Sequence, residues 1–212
     1  MIITIFGATG MVGKQMVRHA LAQGHSVRAF GRNVTALIDQ DLRNENLEAI
    51  KGSVFDSYDV HKAIKGCDAV LSALGGSADG VDKTRSLGIK TIIQQMEGAG
   101  VKRIVALGGI GVLDAGDGTF IMDKDGYPKE FLAVAKEHLE AFLQLKKSNL
   151  DWTFVCPPNI KDADAAGQFI TSTTYAPNPN HFYINAGDLA MFMVMNVVKD
   201  VYIQLRVGIS QT

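Results

Sequence analysis

The sequence predicts a doubly wound α/β fold on a parallel sheet, and three observations carry that expectation. An apolar run, Ile2-Ile3-Thr4-Ile5-Phe6, leads into glycines spaced three apart, Gly7, Gly10 and Gly13, and then into an apolar pattern of helical period. Short apolar runs and helical patterns go on alternating along the chain, which is the signature of βα units. Four of the predicted strands run into glycine, so four loops gather at the carboxyl edge of the sheet, where open α/β sheets bind ligands.

The first strand, Ile2 to Phe6, shows no polar alternation, as suits a strand buried on both faces. Val12, Met16, Val17, Ala20 and Leu21 share one helix face, and Gly24 ends that helix. Ser26 to Phe30 is the second strand, parallel to the first through a right-handed crossover. Asn33 to Asn46 reads as a short helix and loop. Leu47 to Val54 is a third strand, and Asp56 or Ser57 offers a cap to a helix from Tyr58 to Lys65. Asp68 to Leu74 is a fourth strand, ending in Gly75-Gly76. A polar loop, Asp79 to Lys83, precedes a helix from Arg85 to Gly98. Lys102 to Leu107 is a fifth strand, ending in Gly108-Gly109. Ile110 to Gly126, rich in Gly and Asp, reads as an active-site loop with few core residues. Pro128 suits the first turn of a helix carrying Phe131, Ala135, Leu139, Phe142 and Leu145. Asp151 to Cys156 is a sixth strand, stopped by Pro157-Pro158. Short strands at Gln168 to Thr173 and His181 to Ile184 flank a turn at Pro177 to Asn180. A last helix runs from Gly187 to Val198, and Gln204 to Ile209 is a final strand.

The length suits one domain, 1–212. A net charge of −1 gives no basic footprint for nucleic acid or an anionic membrane. The two cysteines, Cys67 and Cys156, form no metal spacing and fit a reduced, cytoplasmic protein, with a lone disulfide left open. The N-terminus has no basic region or cleavage site of a secretory leader, and no apolar run reaches membrane-spanning length. The Asn33-Val34-Thr35 sequon is therefore expected to be idle. The five histidines show no metal-ligand spacing, and no metal is expected.

The glycine triplet, placed between a strand and a helix, has the context of a pyrophosphate cradle. Gly7 would permit the tight turn, Gly10 the close approach of phosphate and Gly13 the packing of helix on strand. Thr9, Met11 and Val12 complete the loop. An NAD site usually carries an acid about 20 residues after that loop. Here Gly31-Arg32-Asn33 stands in that place, and no acid occurs between Gly13 and Asp39. Arg32 can hold a 2′-phosphate that a carboxylate would repel, which favours NADP(H) over NAD(H). The alternative is a solvated arginine, with Thr9 or Asn33 bonding a ribose. Phe55-Asp56 and Ala73-Leu74-Gly75 fall where an adenine and the next ribose or phosphate would rest, although Asp56 equally suits a helix cap. A Tyr-x-x-x-Lys pair is absent, because Phe131 lies four residues after Tyr127. No catalytic residue is assigned. His138 is the histidine placed near the strand ends, whereas Glu137 and Glu140 read as a solvated helix face. Met191, Met193 and Met195 read as packing.

Gly7-Ala8-Thr9-Gly10-Met11-Val12-Gly13, Gly31-Arg32-Asn33, Gly52 to Asp56, and Ser148 to Val155 running into Cys156-Pro157-Pro158-Asn159-Ile160 resemble the atypical short-chain dehydrogenases of the NmrA-like NAD(P)H-binding group. The Pro-Pro segment and Gly187-Asp188-Leu189-Ala190 are most similar to its biliverdin reductase B, or flavin reductase, branch. The resemblance implies a Rossmann fold with a small substrate-side lobe after about residue 157, NADPH as cofactor, and hydride transfer to a flat acceptor such as a flavin, tetrapyrrole or quinone. Leu107, Gly108 and Pro157 would then flank the nicotinamide, while Gly109, Tyr127, His138 and Asn159 would line the acceptor site. The chain departs from that branch in having glycine for hydroxyl residues at 108 and 109, and Asn159 for histidine. A non-catalytic, NmrA-like redox sensor is the rival expectation. A nucleotide-sugar epimerase would need a larger C-terminal domain.

Overall fold

A computed structural model describes residues 1–35, 44–199 and 201–212. An eight-stranded sheet has the order β3-β2-β1-β4-β5-β6-β10-β8. Its strands are β1 (Ile2–Phe6), β2 (Ser26–Gly31), β3 (Leu47–Lys51), β4 (Ala69–Ser72), β5 (Arg103–Leu107), β6 (Asp151–Cys156), β8 (Phe169–Thr173) and β10 (Leu205–Gln211). Each neighbouring pair is parallel except β10 with β8, which is antiparallel and closes one edge. β7 (Asn159–Lys161) and β9 (Tyr183–Asn185) form a separate parallel pair. The order reverses between β1 and β4, and at such a switch the loops diverge and leave a crevice. The fold is the doubly wound one that the βα alternation predicts.

Helices cover both faces. α1 (Met11–Ala22) and α5 (Ala186–Val197) pack on one face, and α2 (Ser57–Ile64), α3 (Thr84–Ala99) and α4 (Lys129–Lys147) on the other. The strand period of two sorts the core: Val105 joins the first cluster, while Ile104 and Ala106 join the second. Thr4, buried in the central strand, donates its hydroxyl proton to Ala63 O at 2.7 Å and ties β1 to α2.

Several boundaries differ from the expectation. β3 ends at Lys51 rather than at residue 54; at Gly52 the chain turns so close to the core that a Cβ would meet the Phe30 ring at 2.7 Å. β4 ends at Ser72, which frees Ala73 to Gly75 for the loop edge. The Ile110–Gly126 segment, expected to hold few core residues, buries Val112, Leu113 and Met122 around two 3-10 turns, Ile110–Val112 and Ile121–Asp123. The short helix expected within Asn33 to Asn46 falls mostly outside the described residues. The chain beyond Pro157 divides: α5, β8 and β10 complete the core and the main sheet, while β7 and β9 pair only with each other, Ile184 of β9 being buried in the same core. Cys67 and Cys156 are both buried free thiols.

Candidate functional site

The cleft at the switch point has a volume of about 510 Å³. Gly7, Thr9, Gly10, Met11 and Val12 line it from the first loop, Arg32 and Phe55 from the next two, Ala73, Leu74 and Gly75 from the loop after β4, and Leu107 and Gly108 from the end of β5. Twelve of the sixteen residues expected around a dinucleotide thus share one cavity. Gly13 is behind the loop: a Cβ there would stand 2.0 Å from Gly7 O, so glycine lets α1 sit against the turn. Asp56 does not line the cleft; its carboxylate accepts from the amides of Tyr58 and Asp59 as the cap of α2. Asn33 lies in a turn and Pro157 lines a different cavity.

The residues fit a pyrophosphate. Gly7 has φ +75°, and a Cβ on it would reach within 2.4 Å of Ala73 O. The turn is closed by a 3.0 Å bond from Gly10 N–H to Gly7 O. Gly10 caps α1 without a side chain, and the first turn holds no acid, so the helix end presents bare amides and positive dipole to the cleft. Arg32 is exposed at the same cleft and has no hydrogen bond or ion pair among the described residues.

A second cavity, of about 570 Å³, meets the first at Gly108, His138 and Ile160. It takes in Gly109, Tyr127, Asn159, Pro157 and Pro158, so the four residues expected at an acceptor site lie together. Its walls are mostly apolar, from Ile110, Ile121, Val134 and Phe131 among others. Gly111 leaves room for the Tyr127 hydroxyl, since a Cβ there would come within 2.7 Å of it. Burial raises the pKa of that phenol.

His138 stands at the junction, 8% exposed. Burial, reinforced by the nearby Arg85 charge, pushes its pKa down to about 3, so the imidazole is neutral near pH 7. Its Nδ1 has no hydrogen-bond partner among the described residues. Gly108 and Gly109, where the resemblance leads one to expect hydroxyl residues, have a packing reason. A Cβ at Gly108 would lie 2.4 Å from the buried Phe154 ring, and one at Gly109 would lie 3.0 Å from His138 Cδ2.

Sequence reasoning placed the start of α3 but missed its part in the cleft. Thr84 and Arg85 line the first cleft, and the Arg85 guanidinium donates to Gly76 O at 2.9 Å and to Ser77 O at 3.2 Å. Only the folded loop brings those carbonyls to Arg85, although Gly75-Gly76 marked the loop. The reading of Glu137 as solvated is also corrected. It is 4% exposed and pairs with Lys83 Nζ at 2.8 Å, because α4 turns that side of itself against α3. Of the three methionines read as packing, Met193 is fully buried, whereas Met195 is partly exposed. No group of His, Cys, Asp and Glu that could hold a metal occurs among the described residues, and no described helix is long and apolar enough to cross a membrane.

The chain belongs to the NAD(P)H-binding family, whose model matches residues 7–200. The uncharacterised protein YwnB of Bacillus subtilis (strain 168) is 29% identical over 187 residues, 87% of this chain and 82% of YwnB. A protein of Streptococcus pneumoniae TIGR4, SP1627, provisionally described as an NADH-flavin reductase, has a similar structure with TM-score 0.83 and 26% identity, covering 100% of each chain. A Burkholderia pseudomallei protein provisionally described as exported gives TM-score 0.84 and 30% identity over 99% of this chain and 98% of its own. The nicotinamide dinucleotide read from the glycine loop is thus the family's cofactor.

Proposed function

We propose that this protein is an NADPH-dependent oxidoreductase that passes hydride to a flat acceptor of the flavin, tetrapyrrole or quinone kind. The observation that carries this reading is the junction: a mostly apolar cavity of about 570 Å³ shares the walls formed by Gly108, His138 and Ile160 with the glycine-loop cleft. Bound nicotinamide supplies a hydride with its electron pair. The glycine loop holds the pyrophosphate, and Arg32 selects the 2′-phosphate by charge-assisted hydrogen bonds. Leu107 and Gly108 would bound the nicotinamide, and Pro157 and Pro158 would keep water from the acceptor side. Hydride transfer to a conjugated ring needs mainly proximity and exclusion of water, so it can proceed without a dedicated proton donor. The neutral His138 then serves as a hydrogen-bonding group rather than an acid. The two free, buried thiols are consistent with a cytoplasmic setting.

One observation favours a second reading, a dinucleotide-binding redox sensor: Tyr127 is followed by Phe131 where a short-chain reductase would carry lysine. Purified protein mixed with NADPH and FMN, riboflavin or a quinone separates the two. Acceptor-dependent loss of absorbance at the nicotinamide band is expected. Tight NADPH binding with no such loss for any acceptor would leave the sensor.

A further inference from the structure

We infer that Phe131 and Phe182 form an aromatic lip that makes the second cavity select fused, planar ring systems over single rings. The inference rests on the acceptor reading of that cavity. Both side chains line it, Phe131 from the first turn of α4 and Phe182 from the connection between β8 and β9. They are 46% and 65% exposed, although each is a large apolar ring. Isolated apolar side chains on a surface are ordinary, whereas two aromatic rings on one apolar cavity mark a binding surface.

The backbone of Phe182 supplies the second observation. Its φ is +58°, a left-handed conformation that glycine and asparagine adopt far more readily than a bulky aromatic residue. Among the described non-glycine residues Thr174 and Gln204 share a positive φ, and of the three only Phe182 lines either cavity. Two hydrogen bonds hold it there. The Phe182 amide donates to Asn180 Oδ1 at 2.8 Å, and the Asn159 amide donates to Phe182 O at 3.3 Å. Asn159 itself lines the cavity, so the strained residue is fastened to the acceptor wall. Strain retained at a cavity mouth is characteristic of binding sites. A phenyl group at 182 adds nothing to the core; its value is the face it offers to a ligand.

Aromatic faces attract flat conjugated rings by offset stacking and by excluding water. A three-ring acceptor is wide enough to meet rings contributed by two separate elements, and a single ring has far less face to share. The neighbouring Tyr127, Lys124 and Asn159 can bond heteroatoms at a ligand's edge.

The test uses the full chain saturated with NADP⁺ and follows the fluorescence anisotropy of riboflavin, which rises when the small flavin is held by the much larger protein. Phe182→Asn removes the ring and suits the left-handed backbone, so its unfolding midpoint should not fall; Phe131→Ala is the second variant and Phe182→Trp the rescue. Each ring loss is expected to weaken riboflavin binding about five- to tenfold, and to lower the ratio of kcat/KM for riboflavin over a monocyclic benzoquinone by a similar factor. Phe182→Trp should restore both. If the Asn and Ala variants bind and reduce riboflavin as the unmodified chain does, the lip is wrong and the reductase stands. If the unmodified chain binds riboflavin without reducing it and the variants lose that binding, the lip stands and the reductase reading falls. No binding and no turnover of any fused-ring acceptor overturns both.

Discussion

Glu137 and Lys83 join the fourth helix to the start of the third across a 2.8 Å ion pair, and the same carboxylate accepts from Ser86 Oγ at 2.7 Å. Thr84 and Arg85, which lie between these two partners in sequence, line the dinucleotide cleft, and His138, next to Glu137, lines both cavities. One buried carboxylate therefore braces the wall on which the two cavities meet. Burial alone would raise its pKa, yet the bonds from Lys83 and Ser86 hold it below the ordinary carboxylate range. Glu137→Ala should destabilise the protein by about 1–3 kcal/mol in urea unfolding at neutral pH. Because the native group is the stronger acid, this contribution is complete above the unfolded carboxylate's pKa and disappears as pH falls through the lower native value. The difference between the two proteins should shrink in acid.

His138 sets a second pH window. The unfolded chain takes up a proton near pH 6.5 that the native site refuses until about pH 3. Stability from this group is therefore complete above the unfolded value and falls as pH drops between the two, by about 1.4 kcal/mol per unit. Between roughly pH 7.5 and 5 the loss is about 2 kcal/mol. His138→Gln should flatten this part of the stability curve. An unchanged acid slope in the variant would mean that His138 takes up its proton at the same pH in the native and unfolded states.

The glycines of the first loop should fail in different ways. Gly7→Ala places a Cβ 2.4 Å from Ala73 O at a positive φ, and should cost about 2–4 kcal/mol of folding stability. Gly10→Ala meets nothing closer than Gly7 O at 3.3 Å. It should fold normally and lose dinucleotide affinity, because the new methyl group enters the pyrophosphate seat. Thermal unfolding together with NADPH titration distinguishes the two.

Arg32→Ala should lower NADPH affinity about 10- to 100-fold, the equivalent of one charge-assisted hydrogen bond, and leave NADH affinity nearly unchanged. Titration of both dinucleotides by nicotinamide fluorescence checks the ratio. A constant ratio would make Arg32 a surface charge.

Gly108→Ser should destabilise the fold by about 1–3 kcal/mol, because its Cβ would lie 2.4 Å from the Phe154 ring. Combining it with Phe154→Leu should recover part of the loss if that ring is the obstacle. Chemical denaturation of the three variants measures the coupling.

Much of this protein could be read from short windows. Ile2 to Phe6 declared a buried strand, Gly7, Gly10 and Gly13 a phosphate turn, and Pro157-Pro158 the end of β6, because backbone conformation and burial period depend on a few adjacent residues. The same local information placed Arg32 after the second strand and ruled out a Tyr-x-x-x-Lys pair. Where elements stop was less legible. β3 stops one residue before Gly52, where the Phe30 ring leaves no room for a side chain, a contact across 22 positions.

Other features followed from which faces meet. Helical spacing could not say that Glu137 lies under α3 rather than in water, since the partner that buries it, Lys83, is 54 positions away. Nor could it show Arg85 gripping the Gly76 and Ser77 carbonyls, or Phe131 and Phe182 on one cavity. The opening glycine loop already identified a dinucleotide seat, because a phosphate turn is made by contiguous backbone. The second cavity is assembled from distant segments, and only their packing decides its shape and the neutral state of His138.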